Sequence, residues 1–400
     1  MTTTINKEQK NPNVPNLRFP EFEGEWKRTS LKDISTVNPK SASLEESFVY
    51  IDLEAVEKGI LKKQQTILRS EAPSRAQRVI MDGDILFQCV RPYQKNNYLH
   101  KGQNNDKTQW VASTGYAQIR TTESPSYLYH TLNTDGFNKK VMVRCTGSSY
   151  PAINSDDLST IHFYFSPQKE EQRKISQLFD LLDERIATQN KIIDKLQSLI
   201  KGINQEVFNG VGYSYKLGSI CEIKSGYSGN QLIKKEGLKV SRIETISGHR
   251  INLERVGYVS PFKNSESYKL QVGDILFSNI NSVEYIGNTA FVDKDYDLYH
   301  GMNLLRLIPN SKIVVPFYLY LLLNTRKMLN RFKTICNKAV SQASINQADL
   351  GKTIIVLPSL ENQIKICTIY EVLFSKIEAE KKCLSLYNVQ KQYLLRQMFI

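Results

Sequence analysis

Between Gln88 and Asn97 the chain gathers Gln88, Arg91, Tyr93, Lys95, Asn96 and Asn97 without a single acid. Arg, Lys, Asn and Gln on loops are the side chains that hydrogen-bond base edges in a duplex groove, and the same residues with Ser, Thr and Tyr hold phosphates. Two other stretches in the first half have this character. "RSEAPSRAQR" offers Arg69, Arg75 and Arg78, and "RCTGSSYPAIN" offers Arg144, Thr146, Ser148, Ser149 and Tyr150 beside a glycine that permits close backbone approach. In the second half "FSNINSVEYIGN" gives Ser278, Asn279, Asn281 and Asn288, "CNKAVSQASIN" gives Lys338, Ser341 and Gln342, and Lys224, Arg242 and Arg250 are further donors. These residues are the candidate contacts to a polyanion.

Tools for catalysis are absent by the same reading. "GKT" at Gly351 to Thr353 ends like a phosphate-binding loop, but Asn346 stands where that loop needs its first glycine. His100, His130, His162, His249 and His300 are isolated, and the six cysteines show no metal-ligand spacing, so no metal site is expected and the thiols read as reduced. The paired acids in "SPQKEEQRK" and "NSDDL" fall at a helix start and a capping turn, where acids have an ordinary structural role. No N-P-P-Y or D-P-P-Y tetrapeptide of the aminomethyltransferase type occurs. The chain reads as one that binds rather than reacts, with no cofactor of its own.

Lys and Arg outnumber Asp and Glu by 53 to 40, a formal charge of +13 that favours an anionic partner such as nucleic acid. The longest apolar run, near Phe317 to Leu323, is far short of a membrane span, and the polar start lacks a signal-peptide core. A soluble, cytoplasmic protein is expected.

The elements that position these donors come in two copies. "GDILF" stands at Gly83 to Phe87 and again at Gly273 to Phe277. "SPSYLYHTLNT" is answered by "VPFYLYLLLNT" at a step of 191, "INSDDL" from Ile153 by "INQADL" from Ile345, and "PQKEEQRKI" from Pro167 by "PSLENQIKI" from Pro358. Ordered long-range repetition of this kind means two copies of one folded unit with length changes in the loops. The expected organisation is a mobile tail over 1–15, an α+β domain over 16–167, a helix over 168–210, a second α+β domain over 211–358 and a second helix over 359–400.

Alternating steps of four and three give the first helix an apolar seam of Ile175, Phe179, Leu182, Ile186, Ile193, Leu196, Ile200, Ile203 and Val207, broken once by Gln189. The second helix repeats it with Ile366, Tyr370, Leu373, Ile377, Leu384, Tyr387, Leu394 and Met398, with Glu380 at the position of Gln189 and Lys391 as a further polar member. If the two pair, connectivity requires them to run antiparallel. The expected fold is two similar globular α/β domains joined by two long antiparallel coiled-coil helices, with an internal pseudo-two-fold repeat.

"NVPNLRFPEFEGEWKRTSLKDI" at Asn13 to Ile34, the twin GDILF words, the I-N-x-x-D-L turns and the helix ends "NQEVF" and "LRQMF" together resemble the specificity subunit of a type I restriction-modification system. The resemblance spans the chain beyond its tail. It implies two target recognition domains, each reading one half of a bipartite site in double-stranded DNA, and no catalytic centre. It also implies two modification subunits that bind S-adenosylmethionine and two restriction subunits using ATP and Mg, assembled around the helices, whose charged outer residues Glu184, Arg185, Lys191 and Lys195 would face them. The alternative reading from composition alone is a non-catalytic scaffold whose basic domains bind acidic proteins.

Overall fold

The computed structural model describes residues 13–102, 108–208, 212–339 and 342–400. The chain divides into two compact units, Met1–Lys191 with Lys381–Ile400, and Ile192–Glu380. Both are α+β, and the elements around their repeated words correspond.

In unit 1 the GDILF strand (Ile85–Gln88) lies inside a four-stranded antiparallel sheet, between Tyr116–Thr121 and Tyr98–Leu99, with Ser35–Val37 on the far edge. Unit 2 repeats this with Ile275–Phe277 between Leu305–Pro309 and Thr289–Phe291, and Cys221–Ser225 on the far edge. Each unit adds an antiparallel ribbon, Lys27–Ser30 with His162–Phe165 and Tyr213–Lys216 with Ile354–Leu357.

The repeated word has one physical cause in both places. Gly83 and Gly273 sit at φ +81° and +97°, a region that favours glycine. The next residue, Asp84 or Asp274, accepts a hydrogen bond from the backbone N–H three residues back, at 2.8 Å from Met81 and 2.6 Å from Gln271. It then binds an arginine across the sheet: Arg120 donates to Asp84 at 2.8 and 2.7 Å, and Arg306 lies 2.7 Å from Asp274. The three residues that follow are buried in both units.

Helices α1 (Pro125–Leu132) and α2 (Asp135–Arg144) of unit 1 correspond to α4 (Pro316–Leu323) and α5 (Arg326–Ile335) of unit 2, and α3 (Lys169–Val207) to α6 (Leu360–Met398). Thr134 and Thr325 cap α2 and α5 by accepting the N–H of Phe137 and Met328. The I-N-x-x-D-L turns are caps as well, with Asn154 and Asn346 accepting from Asp157 and Asp349 at 2.7 and 2.8 Å.

The seam residues form the least exposed face of α3 and α6. Each is buried or half-buried, while Glu184, Arg185, Lys191 and Lys195 are exposed. Within unit 1, Phe179 of α3 packs on Phe399, and Asp183 pairs with Lys391. Within unit 2, Asn204 of α3 accepts from the Tyr370 hydroxyl at 2.5 Å and Phe208 packs on the Tyr370 ring. In unit 1 the partner number falls as the α3 number rises, the signature of an antiparallel pair. The two ends match across the repeat: Phe399 meets Tyr127 and Phe179 in unit 1, and Phe208 meets their counterparts Tyr318 and Tyr370 in unit 2. Each unit therefore takes in part of both long helices.

One expectation needs correction. The tail ends earlier than residue 15, because Pro15 is buried and the Asn13 carbonyl accepts the Trp26 N–H at 2.9 Å; residues 1–12 and Gly210 lie outside the described residues. Beyond the shared framework, unit 1 carries a second four-stranded sheet, in which Ser47–Ile51 runs parallel to Gln109–Ser113, where the described residues of unit 2 form the ribbon Leu238–Val240 with Gly257–Val259 and short 3-10 turns.

Candidate nucleic-acid interface

The loop after GDILF is joined by backbone hydrogen bonds to the loop after the second helix of the pair, in both units. In unit 1, Arg91 N–H donates to the Pro151 carbonyl at 2.8 Å and Ile153 N–H to Cys89 at 3.0 Å, with a bridge between Val90 and Ala152. In unit 2, Ile345 N–H donates to Asn279 at 2.9 Å, and Ile280–Asn281, Ala343–Ser344 and Asn337–Lys338 form a three-stranded ribbon. In each half, two donor-rich stretches far apart in sequence thus form one surface.

On that surface in unit 1, Arg91 adopts φ +54° and its guanidinium lies 4.3 Å from the centre of the Tyr150 ring. Tyr93 and Tyr150 are 51% and 64% exposed, and Thr146, Ser148 and Ser149 are exposed beside them. Arg78 is half-buried next to Cys89, and burial lowers its pKa while raising that of the Cys89 thiol to about 11. Arg69 and Arg75 are exposed, Arg69 donating to the Leu44 carbonyl at 3.3 Å. In unit 2 the corresponding surface presents the exposed Lys338 and Gln342, and the Ala339 N–H donates to the Gln342 carbonyl at 2.8 Å. Ser341 lies outside the described residues.

The type I restriction modification DNA specificity domain matches twice, over residues 23–198 and 213–385. The chain belongs to this family. A chain named as the type I restriction enzyme MjaX specificity subunit of Methanocaldococcus jannaschii is 41% identical over 180 residues, 44% of this chain and 42% of that one. The EcoKI specificity subunit of Escherichia coli is 22% identical over 283 residues, 64% of this chain and 60% of the relative. The aligned part thus spans less than two thirds of each relative. Among solved structures, the type I restriction-modification S subunit of M. genitalium superposes with a TM-score of 0.62 at 16% identity, covering 97% of this chain and 99% of that one. A chain from a study of type I R-M complex assembly and conformational transition gives 0.59 at 23%, covering 92% and 96%. These likenesses show a shared fold.

Several residues of this specificity-domain chain that were candidate contacts turn inward instead. Gln88, Asn97, Ser278 and Asn288 are buried. Gln88 donates to Gln94 at 3.0 Å and accepts from the Asn96 N–H at 3.1 Å, while Asn97 accepts the Gln88 N–H and donates to Asn133. They brace the loop that Arg91 and Tyr93 ride on. Asn96 accepts the Lys58 N–H, and Lys95 pairs with Asp135 at 2.7 Å, locking the loop to the start of α2. Asn281 donates to the Ser278 hydroxyl and Asn279 to the Ile345 carbonyl, so both serve the ribbon. Arg144 donates to the Asp157 carbonyl and to Thr160. Lys224 and Arg242 stay at least two-fifths exposed, with acids at 3.1 and 3.4 Å. Arg250 pairs with Glu378 on α6 at 3.0 Å, so it belongs to a different surface from the loops. Polar side chains in loops serve the fold as often as a ligand, and sequence alone does not separate the two uses.

Tyr285 is a further exposed aromatic residue on this surface that the sequence analysis does not name. It is 49% exposed in the loop after the second GDILF, as Tyr93 is after the first. Its signal was present: an aromatic residue inside a polar loop, at almost the repeat distance from Tyr93.

Among the described residues no group of three or more His, Cys, Asp or Glu is placed to hold a metal ion, and no helix is long and apolar enough to cross a membrane. The six cysteines are free thiols.

Proposed function

We propose that the chain is the specificity subunit of a type I restriction-modification complex, each unit reading one half of a bipartite site in double-stranded DNA. The observation that carries this reading is the doubled surface: the same backbone pairing joins two loops in each unit, while the exposed side chains on those loops differ between units. A common framework with divergent tips suits two unlike half-sites, and a scaffold for acidic proteins would have no need of such divergence.

In this reading the chain positions and does not react. Methylation of adenine with S-adenosylmethionine, and cleavage with ATP and Mg, belong to two modification and two restriction subunits, for which the exposed outer faces of α3 and α6 are the docking surfaces. The complex works in the cytoplasm. The length of the helices sets the gap between half-sites.

Sequencing methylated adenines in DNA from cells that carry the chain with its modification subunit tests the proposal. A two-part motif with a fixed gap is expected, and a continuous palindrome would overturn it. Removing one heptad from α3 is expected to change that gap; an unchanged gap would exclude the helix as its ruler.

A further inference from the structure

Unit 2 holds a cavity of about 800 Å3 with walls from α4, α6, the end of α3 and the sheet-edge strand Thr289–Phe291. Four of its side chains, Phe291, Phe317, Tyr320 and Phe374, form an aromatic cluster with neighbouring ring centres 5.3 to 6.3 Å apart. The volume falls within the roughly 300–1,000 Å3 of pockets that take small organic molecules.

Unit 1 shows which side chains stand at this place in the other copy of the repeat. Strand pairing aligns Leu99 with Phe291, because each faces the first residue of its ILF strand, so Lys101 corresponds to Asp293. On the long helices the 191-residue step makes Asp180 the counterpart of Glu371, Asp183 of Phe374, and Ile200 the counterpart of Lys391. In unit 1 Lys101 pairs with Asp180 at 3.2 Å, Ser126 donates to the same carboxylate at 2.8 Å, and Lys391 pairs with Asp183.

Unit 2 changes every one of these groups. Ser126 becomes Phe317, the Asp183–Lys391 pair becomes Phe374 with Ile200, and the Lys101–Asp180 pair becomes two acids, Asp293 and Glu371. The other charged lining residues, Arg250 and Glu378, neutralise each other at 3.0 Å. Asp293 accepts from the Tyr296 hydroxyl at 2.5 Å, a bond that brings no positive charge; Lys294 lies over the Tyr296 ring but does not line the cavity. An aromatic-walled space is left with two carboxylates where the repeat elsewhere supplies a lysine.

We propose that this cavity binds an organic cation, an alkylammonium or guanidinium group, with its charge between Asp293 and Glu371 and its apolar stem against the Phe291, Phe317 and Phe374 rings. The ring faces attract a cation and the carboxylates fix it. The site is independent of the loops assigned to DNA.

The probe is n-pentylammonium, with 1-pentanol as its uncharged counterpart, titrated into the full-length chain and followed by ligand-observed NMR. The ammonium is expected to bind about tenfold or more tightly than the alcohol. Asp293→Lys, which gives unit 2 the pair that unit 1 has, is expected to abolish ammonium binding with an unchanged or raised melting temperature. Glu371→Gln, which keeps shape, is expected to weaken it severalfold. Equal binding of alcohol and ammonium, full binding to Asp293→Lys, or no binding to the unaltered chain would overturn the proposal. Repeating the titration on the complex with the modification subunit identifies the natural source: loss of the site there means a side chain from the partner fills it, and retention means a free amine does.

Discussion

Phe399 is the residue through which the end of α6 holds unit 1. It is 6% exposed, with ring centres 6.2 Å from Trp26, 5.4 Å from Tyr127 and 5.6 Å from Phe179, and it sits in the same cluster as Leu395 and Met398. Truncating a buried Phe to Ala costs about 3–5 kcal/mol, so a loss of at least about 3 kcal/mol is expected for Phe399→Ala. That energy is a factor of about 150 in the equilibrium between docked and undocked helix end. Hydrogen exchange followed by mass spectrometry is the assay. Peptides covering 381–398 and the segment around Trp26 are expected to exchange up to about 100-fold faster where opening limits exchange, while the second GDILF strand is unaffected. Phe208, its counterpart in unit 2, is only half-buried, so Phe208→Ala is expected to cost less. Unchanged exchange over 381–398, or an equal rise throughout the chain, would refute the assignment of α6's last turns to the core of unit 1.

The buried aspartates of the repeated word should respond unequally. Asp274→Asn leaves Arg306, whose side chain is 6% exposed, without its counter-charge and is expected to cost about 3–5 kcal/mol in denaturant melts, whereas Arg120 at 36% can turn to water and Asp84→Asn should cost less. His300 is buried against the Leu304 carbonyl, and burial lowers its pKa to about 4. A depressed folded-state value means the stability is fully present above pH 6.5 and is lost as pH falls toward 4, by about 3 kcal/mol in total; melts of unit 2 across that window should show it, and His300→Gln should remove it. Gln172 and Gln363 each accept the N–H at the start of the neighbouring helix, from Ser124 at 3.3 Å and Val315 at 2.9 Å, so either Gln→Ala change should cost about 1 kcal/mol or more in thermal unfolding. Arg91→Ala and Tyr150→Ala should each weaken binding at one half-site and leave the other intact, and the double change should add little because the two side chains touch; equal loss at both half-sites would mean a folding defect.

What the sequence made legible was whatever the chain states twice. The GDILF words, the Asn caps and the seam of α3 are periodic or repeated, and local chemistry decides them: glycine for positive φ, Asn for an N-cap, apolar steps of four and three for a packed face. Glu171 has the structural role expected of a first-turn acid, but its partners are remote and were not legible. The first-turn acid is fully buried, taking Arg18 at 2.6 Å, Trp26 at 3.1 Å and Ser166 at 2.5 Å. Its counterpart in unit 2 is the exposed Asn362, so no repeat flagged it. Arg18 and Trp26 were visible only as part of a family-like word. Gln88 and Asn97 were misread for a related reason. A polar loop residue looks the same in sequence whether it faces solvent or braces the loop, and only tertiary contacts distinguish them.

The inward-facing polar residues also explain how one framework can carry two different surfaces. Loop shape in unit 1 is held by buried amides, by Lys95 on Asp135 and by backbone pairing with residues 151–153, none of which depends on what Arg91, Tyr93 or Tyr150 happen to be. In unit 2 the ribbon of Ile280–Asn281 with Ala343–Ser344 does the same work for Tyr285, Lys338 and Gln342. Substitutions at those exposed tips remove no core contact and leave no buried donor unpaired, so they fall in the class that changes stability little. Half-site preference can therefore change one unit at a time while the caps, the aspartate–arginine pairs and the helix seams stay as they are.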